Sequence, residues 1–473
     1  MLAFAAIATF ASLSASAQQP IPTLLITGHN NHNWQYTSRL HADTLEATGR
    51  FAVTITDDPA ATLADADKLA GYRLFVLDYN DIHEPRRWGE QAEANFVKAV
   101  SGGTGVVAVH AADNAFAGWA DYERMLGLMW REGTGHGSVR EFKVEWVSKD
   151  HPIAKGMSDF ATRDELYHRL ANPQNSRYSL LARAMSSTES GGTGEHEPMA
   201  VTLGFGEGRV FATPLGHVWT GVEDTKPSIT TSGFKTLLCR GAEWAATGNV
   251  SLPTEWKDVR THNTLSEEER AAGWRLLFDG TSTSGWRGYK KLALPENSGW
   301  SVEGGELTYR PGKTGGDIMT DAQLADFELS LEFKVAEGGN SGIIYRVTED
   351  HDYPWQTGPE FQILDDLRHA DKARDKTRTG SFYDVVGRSV DTSRPAGEWN
   401  HARIVCRGRT VEHWLNGFKI VELDLDSEAY KAAHAKSKWT GMPDFATRAK
   451  GHIALQDHGD VVSFRNIKVR ELK

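Results

Sequence analysis

Cysteine is nearly absent, with two in 473 residues, which excludes a disulfide-stapled scaffold. Cys239 and Cys406 stand in different halves of the chain, in stretches that read as buried structure, so they are not expected to pair. Basic charge is also short. Lysine and arginine number 52 against 63 acidic residues, a net charge of −11. A nucleic-acid partner would call for a basic domain or stripe, and none is present. No stretch approaches the roughly 20 consecutive apolar residues of a membrane-spanning helix. The longest, Leu2 to Leu13, is too short for that and runs into Ala15-Ser16-Ala17, a small-residue pattern that signal peptidase accepts. It lacks the Lys or Arg that normally precedes such a run. The expectation is a signal peptide over residues 1–17 and an exported protein, periplasmic or secreted. Two residue types are plentiful instead, with 15 Trp and 18 His. Both line sugar and metal sites, although Trp is also core material.

From residue 22 to 248 short apolar runs alternate with amphipathic stretches. Leu24-Leu25-Ile26, Leu74 to Leu77, Val106 to Val109 and Arg209 to Thr213 read as strands, and Gly89 to Val100 as a helix between two of them. Continuous apolar strands with helical crossovers predict an open parallel α/β sheet covered on both faces. In such sheets ligands bind beyond the carboxyl ends of the strands, which is where Asp78, His110 and His217 fall. Gly204-Phe205-Gly206-Glu207-Gly208 has the look of a phosphate loop, but it precedes a strand instead of following one. A hairpin-like turn is expected there, and no nucleotide cofactor. Residues 249–271 carry Pro253 and a charged run without strand pattern, and read as a linker; Ser266 with Glu269 forms a capping box. From 272 to 473 the period becomes two, as in Phe327 to Val335 and Thr410 to Leu415, with Asn416-Gly417 as a hairpin turn. That pattern predicts an all-β sandwich or jelly roll.

Within this second half stand Leu277-Phe278-Asp279-Gly280-Thr281, Asn340-Ser341-Gly342-Ile343-Ile344-Tyr345-Arg346, Pro359-Glu360-Phe361-Gln362-Ile363-Leu364-Asp365-Asp366, His413-Trp414-Leu415-Asn416-Gly417 and Gly451 to Gly459. Together they closely resemble the 3-keto-disaccharide hydrolase family, which implies a concanavalin-like jelly roll. The first half resembles the ThuA-like trehalose-utilisation domain, of the class I glutamine amidotransferase-like fold. It does so through Thr27-Gly28-His29-Asn30, Val109-His110-Ala111-Ala112, Gly135-His136-Gly137, Asp164-Glu165-Leu166-Tyr167 and Leu215-Gly216-His217. Where amidotransferases carry a nucleophilic Cys, this chain carries His110, so glutaminase chemistry is disfavoured.

The resemblance of the second half implies an enzyme that cleaves 3-keto-glycosides, with an upstream sugar 3-dehydrogenase as source of substrate. A ketone at C3 acidifies the C2 proton, so a base can remove it and the C1 oxygen is expelled by elimination, after which water adds. The enolate oxygen needs an acid or a metal. Glu360 and Gln362 are two apart in a strand and share a face. Glu360 and His458 are expected to divide the roles of base and metal or enolate contact, with His413 as a third catalytic group. Arg346, Gln362, Asp365, His369, Tyr383, Gln456 and Trp355 are expected to bind sugar. Trp399 and Trp414 read as core. In the first half His29, His110, His136, Glu165, Tyr167 and His217 are expected to line a pocket, used either for proton transfer on a keto-sugar or for a divalent metal; His32 and His168 read as loop structure. A competing function is a carbohydrate-binding jelly roll attached to a catalytic or scaffold first domain.

Overall fold

The computed structural model describes residues 19–472, so the expected signal segment lies outside the described residues. Among those described, no helix is long and apolar enough to cross a membrane.

The first domain is built on one nine-stranded sheet. Five strands, in the order Phe51–Thr56, Ile21–Ile26, Leu74–Leu77, Gly105–Val109 and Gly208–Thr213, run parallel. Alternation along them feeds two cores. Leu25, Val76 and Val107 pack with residues of the helices Trp34–Glu46 and Ser232–Thr247. Leu24, Phe75 and Val106 pack on the other face with the helices Glu90–Ser101 and Ala120–Leu126. The remaining four strands, His196–Phe205, Ser179–Met185, Arg140–Trp146 and Phe160–Asp164, are antiparallel. The expected all-parallel sheet is therefore corrected to a mixed one. A parallel neighbour requires a crossover long enough for a helix, whereas turns such as Gly206-Glu207 only reverse the chain. The Gly204 to Gly208 segment is that hairpin turn, with Phe205 paired to Gly208.

The linker region is a strap laid along both domains. Val250, Leu252 and Trp256 pack on the first core, and Trp256 Nε1 donates to the Thr44 carbonyl at 3.0 Å. Asn263 exchanges backbone-to-side-chain hydrogen bonds with Asn466. The Ser266–Glu269 capping box opens the short helix Glu267–Ala271.

The second domain holds two antiparallel sheets with one core between them. The larger runs Trp300–Glu303, Glu306–Tyr309, Val462–Glu471, Phe327–Val335, Asn400–Arg407, Thr410–Leu415, Phe418–Asp424. The smaller runs Trp286–Gly288, Ile318–Thr320, His452–Leu455, Asn340–Val347, Glu360–Leu364. Asn416 and Gly417 turn the hairpin with φ of 50° and 90°, the left-handed geometry this dipeptide favours.

Buried charge joins the domains. Lys226 is wholly buried, its ammonium 2.9 Å from Asp391, 2.8 Å from Glu223 and 2.8 Å from the Ser393 carbonyl. Arg388 bonds Asp366 at 2.6 Å and Asp391 at 2.9 Å, and Arg394 pairs with Asp43.

Two candidate functional sites

In the smaller sheet of the second domain, Phe361 and Ile363 point into the core, so Glu360 and Gln362 occupy the opposite face. Asn340 and Gly342 share that face through the neighbouring strand, and Gln456 continues it beyond Ala454. Over this face lies a cavity of about 360 Å³ lined by Asn340, Glu360, Gln362 and Gln456, walled by Trp355, Tyr383, Trp439 and Met442, with Lys438 and His458 at its edge. Three loops supply the wall. Tyr383 is held by its N–H donating to the Glu360 carbonyl, and Trp439 Nε1 donates to the Tyr383 carbonyl at 2.9 Å.

Burial pushes the Glu360 carboxyl up to about 8, against the opposing pull of Lys438. The carboxyl exists in this place because residue 342 is glycine: a Cβ there would lie 2.1 Å from Glu360 Oε1. Both amide atoms of Gln362 and Asn340 Oδ1 are buried with no hydrogen-bond partner among the described residues. Orphaned polar atoms cost free energy unless something binds them, so three on one cavity floor mark a ligand site. Lys438, which local spacing did not single out, lies 4.1 Å from the Tyr383 ring and 4.4 Å from the Trp439 ring.

Of the residues expected here, Glu360, Gln362, Tyr383, Gln456, Trp355 and His458 come together, with His458 exposed at the rim. Four do not. His413 is in the core between Phe361 and Phe382, its Nδ1 facing the Gly380 carbonyl at 2.9 Å and its Nε2 facing Tyr345 Oη at 2.9 Å. Strand alternation put it on the inner face. Arg346 is buried against the Ala325 and Gly408 carbonyls and Asp326. Asp365 accepts from the N–H groups of Gly338, Leu367 and Arg368, which makes it a loop cap. His369 caps the short helical turn Ala370–Ala373.

The second site lies at the carboxyl ends of the parallel strands. His32, His110, Glu165 and His217 each offer one ligand atom, and these atoms lie within 4.8 Å of one another. The expected metal pair of Glu360 and His458 is not part of that group. His110 follows its strand with φ of 44°, a left-handed conformation rare for a non-glycine residue, and such strain concentrates at functional sites. Its Nδ1 donates to the Pro214 carbonyl at 2.7 Å. His32 Nδ1 donates to Asn30 Oδ1 at 3.1 Å, and Asn30 is itself tied to Asp78. Both rings thus turn an unprotonated Nε2 inward, and the two stand 3.3 Å apart, with Tyr167 Oη 3.0 Å from that of His110. Burial holds His32 down to about 3 and His110 well below its ordinary value, so neither is protonated near neutrality. Two lone pairs facing at that distance repel, yet two nitrogens at about 2.0–2.1 Å from one tetrahedral ion are separated by about 3.3–3.4 Å. His217 Nδ1 lies 3.0 Å from Glu165 Oε1, and Asp164 fixes that corner by accepting from the Gly216 and His217 N–H groups. These residues fit a divalent cation.

The group opens on a cavity of about 370 Å³ lined by His136, Tyr167, Trp130, Trp219 and His83 among others. His136 and Tyr167 are thus where the sequence placed them, His110 lies beneath with Tyr167 Oη 3.0 Å from its Nε2, and His29 is turned aside onto the Asn80 carbonyl. His32 was expected to be loop structure and is a member of the cluster; its position in the loop after the first strand, beside Asn30, was the available signal.

Residues 273–470 match the 3-keto-alpha-glucoside-1,2-lyase-like domain, and residues 23–245 the trehalose-utilisation (ThuA) domain. A 3-keto-disaccharide hydrolase of Bacteroides thetaiotaomicron is 33% identical over 232 residues, spanning 43% of this chain and 79% of that protein. A solved putative glycosyl hydrolase from Parabacteroides distasonis is 33% identical, covering 45% of this chain and 100% of its own, with TM-score 0.42. A solved ThuA-like protein from Parabacteroides merdae is 36% identical, covering 50% and 92%, with TM-score 0.45. The fold and the acid-floored, aromatic-walled cavity define a two-domain protein of glycosyl hydrolase-like type. More narrowly, the chain belongs to the 3-keto-alpha-glucoside-1,2-lyase-like family through its second domain, which here follows a trehalose-utilisation domain.

Proposed function

We propose that the second domain cleaves 3-keto-glycosides by removing the C2 proton, with Glu360 as the base. The observation that carries this reading is a buried carboxyl on the floor of a cavity whose other floor atoms, on Gln362 and Asn340, lack partners among the described residues. The Glu360 carboxylate takes the C2 proton, and the C–H electron pair becomes the enolate of the C3 ketone. Lys438 is the cation placed to stabilise the enolate oxygen. Collapse of the enolate re-forms the C3 ketone, makes the C1=C2 double bond and breaks the C1–O bond; the departing oxygen takes the proton that Glu360 now carries, and water then adds across C1=C2, its hydroxyl to C1 and its proton to C2. Trp355, Tyr383 and Trp439 offer faces for the sugar ring, and Gln362, Asn340 and Gln456 offer hydrogen bonds to its hydroxyls. Substrate of this kind has to be supplied by a reaction that oxidises a C3 hydroxyl. The 3-keto-disaccharide hydrolase relative supports this substrate class, and the raised Glu360 speaks against a pure binding module, which has no use for a buried acid. Incubating the protein with a 3-keto-glucoside and with its unoxidised parent tests the reading; cleavage of neither would overturn it.

The first domain carries a second centre, and we infer that His32, His110, Glu165 and His217 hold a divalent cation there. The facing Nε2 atoms of His32 and His110 support this. When bound, the ion supplies a Lewis acid to the adjoining cavity. His136 and Tyr167 line that cavity as groups able to exchange protons with a keto-sugar or its product. Metal analysis and calorimetric titration of the protein against His110→Ala test it: about one ion per wild-type chain and none in the variant is the expected result.

A further inference from the structure

Tyr383, which walls the Glu360 cavity, stands in the tight turn 382–386, and Phe382 bridges that turn to Phe361 on the strand of Glu360. The next residue, Asp384, does not line the cavity. It is 3% exposed, and its φ of 58° is a left-handed conformation that a side chain keeps only where the surrounding structure over-determines it. We propose that Asp384 is a positioning residue, which latches the Lys438 turn onto the cavity wall and so fixes the ammonium that faces Glu360.

The inference rests on the reading of Glu360 and Lys438 given above. Lys438 is exposed and opens the short turn Lys438–Gly441. An ammonium on a flexible four-carbon stem has no fixed place unless its backbone is held. Here two bonds hold it in step: the Lys438 N–H donates to Asp384 Oδ2 at 2.7 Å, and Trp439 Nε1 donates to the Tyr383 carbonyl at 2.9 Å. With residues 438 and 439 pinned to 384 and 383, the ammonium rests against the rings of Tyr383 and Trp439. Asp384 is itself gripped from the other side. Its Oδ1 takes the Arg374 guanidinium at 3.1 Å and the Lys376 ammonium at 3.4 Å, while its N–H donates to the Lys376 carbonyl at 2.8 Å. The Lys376 ammonium also bonds the Asp384 carbonyl at 2.9 Å. A carboxylate offers an acceptor to both sides at once, whereas an amide offers one acceptor only.

The sign of the electrostatics separates this role from a direct one. Glu360 is faced by Lys438, which favours its ionised form, by Asp317, which opposes it, and by Tyr383 and His458 at the cavity wall and rim. Lys438 is faced by Glu360, Asp384, Asp371 and Arg374. Removing a carboxylate that acted directly on Glu360 would make Glu360 ionise more easily. Releasing Lys438 does the opposite.

The test follows the protonated Glu360 carboxyl by infrared difference titration of the full chain, with its band identified by loss in Glu360→Gln. The wild-type midpoint is expected at about 8. It should rise by about one pH unit in Lys438→Met, the low end of what one neighbouring cation does to a carboxyl, and by a similar amount in Asp384→Gly. Glycine suits the left-handed backbone, so the turn is kept. Asp384→Asn, which also tolerates that backbone, should give a smaller rise in the same direction. The double variant carrying Asp384→Gly and Lys438→Met should match Lys438→Met alone, because Asp384 acts through the lysine. On a 3-keto-glucoside at pH 7, Asp384→Gly should lower kcat roughly tenfold or more with KM little changed, as the carboxylate fraction falls. A midpoint that stays or falls in both Asp384 variants, or shifts that add in the double variant, would overturn the latch. The infrared readout needs no turnover: a protein that shows these shifts but cleaves no keto-glycoside overturns the role given to Glu360 and upholds the latch.

Discussion

Glu360 is costly where it stands, and the cost has a direction with pH. Its folded-state value of about 8 lies above the ordinary 4.5, so the folded protein holds a proton that the unfolded chain releases. The stabilising term is complete below about pH 4.5 and is lost as pH rises through about 8. Glu360→Gln should therefore melt higher than the wild type at pH 8–9 and converge with it near pH 4, while losing roughly 10²–10⁴ in kcat as expected for a missing general base. Activity of the wild type should climb with pH toward about 8, as the carboxylate fraction grows; a profile flat from pH 6 to 9 would contradict the assignment. Gly342→Ala is the complementary change. Its Cβ would meet Glu360 Oε1 at 2.1 Å, so the carboxyl must swing away, and displacement of that order costs on the order of 10²-fold in kcat. The tryptophans divide by environment at this same scale. Trp355 and Trp439 wall the second-domain cavity and Trp130 and Trp219 the first, while Trp399 and Trp414 lie under the guanidinium groups of Arg465 and Arg403 at 4.1 and 4.5 Å.

At the level of elements, the strands and turns were legible because alternation and turn chemistry are local. Thr410–Leu415, the Asn416-Gly417 turn and the Ser266 capping box follow from residues within a few positions of one another. The antiparallel half of the first sheet was missed because a strand's own sequence does not state its neighbour's direction; the length of the connection does. His413 and Arg346 were misplaced for a related reason. Each sits on a strand in a polar signature, and only the pairing of sheets shows that Tyr345 and His413 face the core while Glu360 faces out. Gly417→Ala gives a measurable check, since its φ of 90° is unfavourable for any Cβ. A loss of about 1–2 kcal/mol in chemical denaturation is expected, with the cavity chemistry untouched.

Across the whole molecule, the domains are joined by charges that cannot be separated cheaply. Lys226→Ala would remove one of the buried cations that face Asp391 and Glu223 and leave Arg388 as the other, and removal of one partner from a buried pair costs up to about 3–5 kcal/mol. The expected outcome is a lowered denaturation midpoint for both domains, read from tryptophan fluorescence and far-UV dichroism together. The first-domain centre makes a separate prediction at this scale. Binding of an ion to the folded state alone stabilises it by mass action, so chelation should lower the melting temperature of the wild type but not of Glu165→Ala. The same interface brings the loop that carries His32 toward the second domain, since Asn33 Nδ2 donates to the Asp391 carbonyl at 3.0 Å.

The sequence alone determined the two domain types, the parallel strands of the first domain and several strands of the second, the hairpin turn and the residues of the signatures, because periodicity and turn propensity act over a few residues. It also brought Glu360 and Gln362 to one face, since a strand repeats every two positions. Tertiary structure decided the rest. His32 joined His110 across 78 positions, Lys438 came to Glu360 from a loop 78 positions away, and His413 was taken into the core, because convergence depends on which strands pair and which faces they bury. The site is a property of that pairing, and no local stretch encodes it.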